Sequence, residues 1–191
     1  MKIAERLEKV VGDLNSVAHE THREFGPLTV EQLNWKPSEK SWSVAQCLDH
    51  VIVLHSLYFP IFDKLAAGNV TPTLWERASP FSGLFGRLLI KSIDPENLKP
   101  SKTSKRAYPS SSNIDGAIVL RYVEHQQEMV DALEKLPADL DLRTIITSPL
   151  MGLVTYSLDD TLTILPMHCR RHYDQAKRVI ENDGFPKTGG V

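Results

Sequence analysis

The stretch LPMHCRRHYDQAKRV, Leu165 to Val179, decides how this chain is read. It sets His168 and His172 one helical turn apart, with Gln175 a further turn on. With His168 at zero and about 100° per residue, His172 falls at about +40° and Gln175 at about −20°. Thr161, Ile164, Leu165 and Val179 fall on that same side, and Arg170 points the opposite way. The two imidazoles therefore project from the apolar face of the helix. Upstream, Ser157-Leu-Asp-Asp offers a capping box, so this last helix is expected over 157–182, with Gly184 and Pro186 just beyond. Pro166 lies inside it and lacks an N–H, which frees a carbonyl one turn back near Leu162; a kink there either re-aims His168 or is absorbed by a later start of the regular helix.

Working outward, three more long helices follow from apolar spacing. The first is expected over 3–25, with Ile3, Leu7, Val10, Leu14 and Val17 in register and Gly26-Pro27 as its stop. The second is expected over 43–67, capped by Ser41 or Ser43, ended by Gly68-Asn69, and kinked or broken by Pro60. The third is expected over 114–136, carrying Ile118, Tyr122, His125, Gln126, Met129 and Leu133 on one stripe. Residues 28–43 read as a linker and 69–112 as an irregular insert, relieved by a short helix at Leu84–Ile93. The loop Asp94–Ser112 is long enough to cover a pocket. No alternating strands are expected. Four helices with long connections make an all-α chain, a four-helix bundle in a single domain spanning 1–191.

On the second helix His50 shares its face with Ser43, Cys47, Leu54, Leu57 and Ile61, whereas His55 points away and is expected to be exposed or interfacial. Three imidazoles buried without a shared partner would cost several kcal/mol of desolvation. A shared metal removes that cost, and three histidines leave one coordination position open. Imidazole suits zinc, nickel, copper and iron alike. Cys47 and His125 are the candidates for a fourth ligand; Cys47 reads better as a small buried hydrophobe, and His125 also suits a partner that orients a ligand or a substrate contact. Gln175 suits orientation of a ligand, since neutral amides bind such ions weakly. Cys169 lies about 100° from the His168 direction; His19 and His22 need only surface or capping roles. Trp35 and Trp42 read as packing where the second helix begins.

Composition narrows the partners. The 191 residues are 41% hydrophobic and 24% charged, with a net charge of −2, so no electrostatic footprint for nucleic acid is present. The basic group Lys99–Arg106 reads as a solvated loop. No run of 18 apolar residues suggests a membrane span, and the acidic, amphipathic start is unlike a signal peptide. Two cysteines make no disulfide framework, which fits reduced thiols and a cytoplasmic location.

Two stretches together resemble the DinB/YfiT-like family of metalloenzymes. LTVEQLNWKPSEKSWSVAQCLDHVIVLH has the Leu28-Thr29 opening, the Trp35-Lys36-Pro37 turn, the Trp42-Ser43 cap and His50 eight residues after Trp42. GLVTYSLDDTLTILPMHCRRHYDQAKRVI has the His-x-x-x-His-x-x-Gln signature as His168, His172 and Gln175. The resemblance implies an up-down-down-up bundle, a homodimer, and one divalent ion, zinc or nickel, held by His50, His168 and His172. It implies a small-molecule substrate too. Its characterised relatives include bacillithiol S-transferases and mycothiol-dependent maleylpyruvate isomerase, so a low-molecular-weight thiol cosubstrate is one expectation. A hydrolase, with metal-bound water as nucleophile, is the other. A thiol route would call on cationic groups, for which Arg121, Arg170 and Arg171 are available. The contrasting reading is a non-catalytic binding or dimerisation module with a structural metal site. No catalytic acid or base is assigned.

Overall fold

The computed structural model describes residues 2–69, 71–79, 82–97 and 104–187. Among these residues eight α-helices and one hairpin follow in order: α1 (Ile3–Phe25), α2 (Val30–Asn34), α3 (Val44–Ser56), α4 (Phe59–Ala66), α5 (Leu74–Ala78), α6 (Ser82–Ile93), α7 (Ile118–Glu134), β1 (Ile145–Thr147), β2 (Thr155–Ser157) and α8 (Leu158–Ile180), with a 3₁₀ turn at Lys105–Ala107.

The bundle consists of α1, α3, α7 and α8. Helix α1 packs on α7 and α8, and α3 packs on the same two. The helices nearest in sequence, α1 and α3, therefore stand diagonally across the core. This arrangement puts α3 directly against α8, which is why His50 can meet histidines more than a hundred residues away. The core between them is continuous, with Val10, Leu14, Phe25, Leu48, Met129, Leu133, Leu162 and Leu165 essentially inaccessible to solvent.

Local chemistry explains most boundaries. Ser43 caps α3 through a reciprocal box with Gln46, at 3.2 and 3.3 Å; Ser157 does the same for α8 with Asp160, at 3.0 Å each way. The expected second helix is two: α3 stops at Ser56, and α4 restarts with Pro60 in its first turn, where a missing N–H costs nothing. Gly68 then ends α4 at φ +74, and the Asn69 N–H returns to the Lys64 carbonyl at 2.9 Å, the bond that closes a left-handed cap.

Several expectations need correction. The supposed linker holds α2, capped by Thr29 with Gln32. In the expected irregular insert the short helix at Leu84–Ile93 is present as α6, beginning two residues earlier, and α5, which starts from a Thr73–Glu76 box, is a further helix. Residues 98–103, including Lys99 and Lys102 of the basic group, lie outside the described residues. The third helix starts at Ile118 rather than 114, because both backbone groups of Ile114 are taken by the Asn34 side chain, at 2.7 and 2.8 Å. An antiparallel hairpin exists, pairing Ile146 with Tyr156; strands of three residues are too short for alternation to reveal. Helix α8 runs unbroken through Pro166, so His168 and His172 keep their one-turn spacing.

By length and composition Val44–Ala66 is apolar enough to cross a membrane, yet 61% of its most apolar 18-residue window is buried inside the protein. It is the core side of the bundle, broken at Leu57-Tyr58.

Candidate metal centre

The site forms where α3 crosses α8. His50, from the middle of α3, meets His168 and His172, from the apolar face of α8, and all three are buried. Their ring nitrogens converge: the Nε2 atom of His168 lies 3.1 Å from Nε2 of His50 and 3.1 Å from Nε2 of His172. The three donor atoms all fall within 4.8 Å of one another.

Proton accounting tests whether this arrangement suits a cation. His50 Nδ1 is hydrogen-bonded to the Ala107 carbonyl. A carbonyl only accepts, so the proton sits on Nδ1 and the Nε2 lone pair is bare. The bare His50 Nε2 is satisfied only if His168 carries its proton on Nε2, and that one proton cannot also serve His172 Nε2, whichever tautomer His172 adopts. One cation at the convergence point satisfies all three Nε2 atoms at once, and the donor set fits a borderline divalent metal.

Burial favours the neutral rings that such an ion requires. His168 and His172 are held well below the usual imidazole range, first by desolvation and then by the neighbouring histidines, with Arg171 adding to the effect. Desolvation also lowers His50, opposed by its bond to Ala107 and by the Asp49 charge. Among the described residues the cluster contains no carboxylate or thiol. Three neutral ligands leave the charge of a bound dication uncompensated.

Other candidates fall into place around this centre. Cys47 is fully buried, does not join the cluster, and is pushed up to about 12 by desolvation. It sits in the core as a small buried residue outside the histidine group. Cys169, also at about 12, lies near Gln126 Oε1, 3.4 Å away, and clear of the histidine convergence. Gln175 is half-buried and favours the charged form of His172, but it is not among the grouped donors. His125 is removed from the triad: its Nε2 meets Ser56 Oγ at 3.0 Å, and burial brings it down to about 4. His19 and His22 are exposed, as expected.

His55 overturns its expectation. It is wholly buried, with its ring 5.5 Å from His168 and 6.4 Å from His125. Ten of the thirteen residues of α3 are buried, so that helix has little solvent face to which His55 could point.

Trp42 is a site residue that the sequence reading assigned to packing alone. Its ring lies 4.8 Å from His50 and stacks on His172 at 5.8 Å with planes 26° apart. It occupies the position before the Ser43 cap, outside any helical wheel drawn for α3. Trp42 also borders a cleft of about 470 Å³, together with Lys36, Lys40, Gln46, Tyr108 and Ser110; none of the three histidines lines it. Trp35 instead packs edge-on against Phe185, which is structural.

The three arginines considered for an anionic cosubstrate are engaged elsewhere. Arg121 pairs with Asp115 on the surface, and Arg170 grips Glu20 through two bonds of 2.6 and 2.8 Å. Arg171 donates to the Asp94 and Asn97 carbonyls at 2.8 and 2.7 Å, holding the end of the α6 segment against α8.

The sequence pattern of the DinB superfamily matches residues 13–176. Among solved structures, the chain is similar to YfiT from Bacillus subtilis, described as a probable metal-dependent hydrolase with an unusual four-helix bundle topology. The TM-score is 0.61 at 15% identity, over 95% of this chain and 90% of that one. No curated protein sequence gives a significant match.

Proposed function

The chain belongs to the DinB superfamily, and from that premise we propose that it is a metal-dependent hydrolase of a small molecule. The observation that carries the reading is the convergence of three Nε2 atoms from His50, His168 and His172, with no fourth His, Cys, Asp or Glu donor in the group among the described residues. Zinc or nickel is the ion that we favour for this ligand set. Held by these three histidines with a position left open, such an ion would lower the pKa of bound water to about 7 and so supply a nucleophile for hydrolysis.

The residues of the chain have separable tasks in this scheme. The two α8 histidines and His50 can each offer a lone pair because burial keeps the rings neutral, and a neutral imidazole has one bare nitrogen. Ala107 holds the remaining proton of His50 on Nδ1. Trp42 covers the rings of His50 and His172 and excludes water from that side. The cleft beyond Trp42 receives the rest of the substrate, where Lys36 and Lys40 favour an anionic end.

Thiol transfer, with a low-molecular-weight thiol bound as thiolate, is the second reading. It draws less support, since Arg121, Arg170 and Arg171 already have partners and cannot freely receive the carboxylates of such a thiol. The test is a turnover assay of zinc- and nickel-loaded protein. Simple esters and amides with and without anionic ends form one panel, and electrophiles with thiols form the other. Metal-dependent release of acid from the first panel, lost in His172→Ala, is the expected result. Turnover only with thiols favours the second reading. No turnover with either panel, in protein that holds metal, leaves a binding module.

A further inference from the structure

The segment from Ser104 to Ser112 lies along α3 beside the site, and three of its backbone groups are bound to one face of that helix. The Ala107 carbonyl accepts from His50 Nδ1, the Ser110 N–H donates to Asp49 Oδ2, and the Ser111 carbonyl accepts from Gln46 Nε2 at 3.1 Å. Gln46 stands three residues before Asp49 and four before His50, so its side chain lies between theirs on this side of the helix. Asp49 is only 7% exposed. A carboxylate at such a place costs several kcal/mol unless something compensates it, and the Ser110 N–H is the backbone donor directed at it. Only Tyr108 and Pro109 separate Ala107 from Ser110, and the ring of Pro109 fixes its own φ. Wherever Asp49 pins Ser110, the Ala107 carbonyl is therefore pinned too.

We propose that Asp49 is a positioning residue for the ligand His50: by anchoring Ser110 it fixes the Ala107 carbonyl, which holds the imidazole proton on Nδ1 and leaves Nε2 bare toward His168 and His172. Asp49 touches neither the ion nor the substrate. It acts at one remove, as carboxylates that orient metal-binding histidines do, but through two backbone groups instead of directly. The consequence for metal binding rests on the metal-site reading above; the consequence for the His50 tautomer does not.

The test therefore has two readouts on wild type, Asp49→Asn and Asp49→Ala. The first is the two-bond ¹H–¹⁵N imidazole spectrum of the metal-free protein, which reports which nitrogen of His50 carries the proton. The second is zinc affinity by competition with a chelator. Asn keeps an acceptor for Ser110, so Asp49→Asn is expected to retain the Nδ1–H tautomer and bind zinc like wild type. Asp49→Ala is expected to give mixed tautomers and to weaken zinc binding roughly ten- to a hundredfold. Ser110→Pro removes the same N–H from an exposed position and supplies the readout if Asp49→Ala does not fold. An unchanged tautomer and affinity in Asp49→Ala would overturn the proposal. So would an Asp49→Asn protein as impaired as Asp49→Ala, since charge and not anchoring would then be what matters. If wild type takes up no zinc while the tautomer still follows Asp49, the metal reading fails and the positioning role stands.

Discussion

Two groups of buried imidazoles lie side by side in this bundle, and only one of them is built to share an ion. His50, His168 and His172 turn their Nε2 atoms toward a common point. His55 and His125, next to them, stand 6.4 Å apart by ring centroid and look to different neighbours, His125 to Ser56 Oγ and His55 to the Cys169 sulfur. Desolvation strips the charge from both groups. Burial is thus common to them, and convergence is what separates a metal site from a set of core histidines. Helix α3 contributes to both, since five residues turn His55 about 140° from His50.

Mutation gives the largest contrast. His172→Ala is expected to lose stoichiometric zinc binding, measured by titration of tag-free protein, and His55→Ala is expected to keep it. A protein in which His55→Ala loses the ion as completely as His172→Ala would erase the distinction.

Acid titration separates the groups in a different way. His125 has a folded pKa of about 4, set by burial, against the ordinary 6.5. Above pH 6.5 the ring is neutral in both folded and unfolded chains and makes no difference. As the pH falls from 6.5 toward 4, the unfolded chain binds a proton that the folded one refuses, so stability falls. At about 1.4 kcal/mol per unit, the loss from this group is roughly 3 kcal/mol, complete near pH 4. His125→Gln should flatten that part of a urea-midpoint profile, and an unchanged slope would show that the ring is not desolvated as described.

Ligand linkage gives a slightly smaller effect. Zinc at a hundredfold excess over its Kd should stabilise the native state by about 2.7 kcal/mol. In a chain of this length that is a rise in Tm of about 5–10 °C. A chelator should reverse it, and His172→Ala should show none of it.

The cysteines should respond least. Both thiols are pushed up to about 12 by burial, so neither should react with a disulfide reagent at pH 8 until the chain is unfolded. Cys47→Ala should leave zinc affinity unchanged; a marked loss would bring Cys47 back as a ligand.

Much of this site can be read in the sequence, because a helical wheel needs only spacing. It puts His168 and His172 on one face of α8 and His50 on the apolar face of α3, and the Ser157 and Gly68 boundaries follow from capping chemistry. What it misses depends on neighbours that spacing does not encode. His55 looks solvent-facing until α7 and α8 both close over α3. Trp42 precedes the first helical residue, so no wheel shows it reaching back over His172. The Ala107 carbonyl and the Ser110 N–H are backbone groups of a distant segment, which side-chain patterns cannot reveal. The hairpin at 145–157 and the short α2 and α5 were below the length at which periodicity is informative, although Thr29–Gln32 and Thr73–Glu76 were legible as capping boxes.

Elemental mass spectrometry on tag-free protein, alongside His50→Ala and His172→Ala, bears most directly on the centre where α3 crosses α8. Wild type should carry or take up about one zinc or nickel ion per chain, as a single three-histidine site requires, and each variant should lose it. A wild type that takes up neither ion, or variants that retain it in full, would contradict the assignment of His50, His168 and His172 as its ligands.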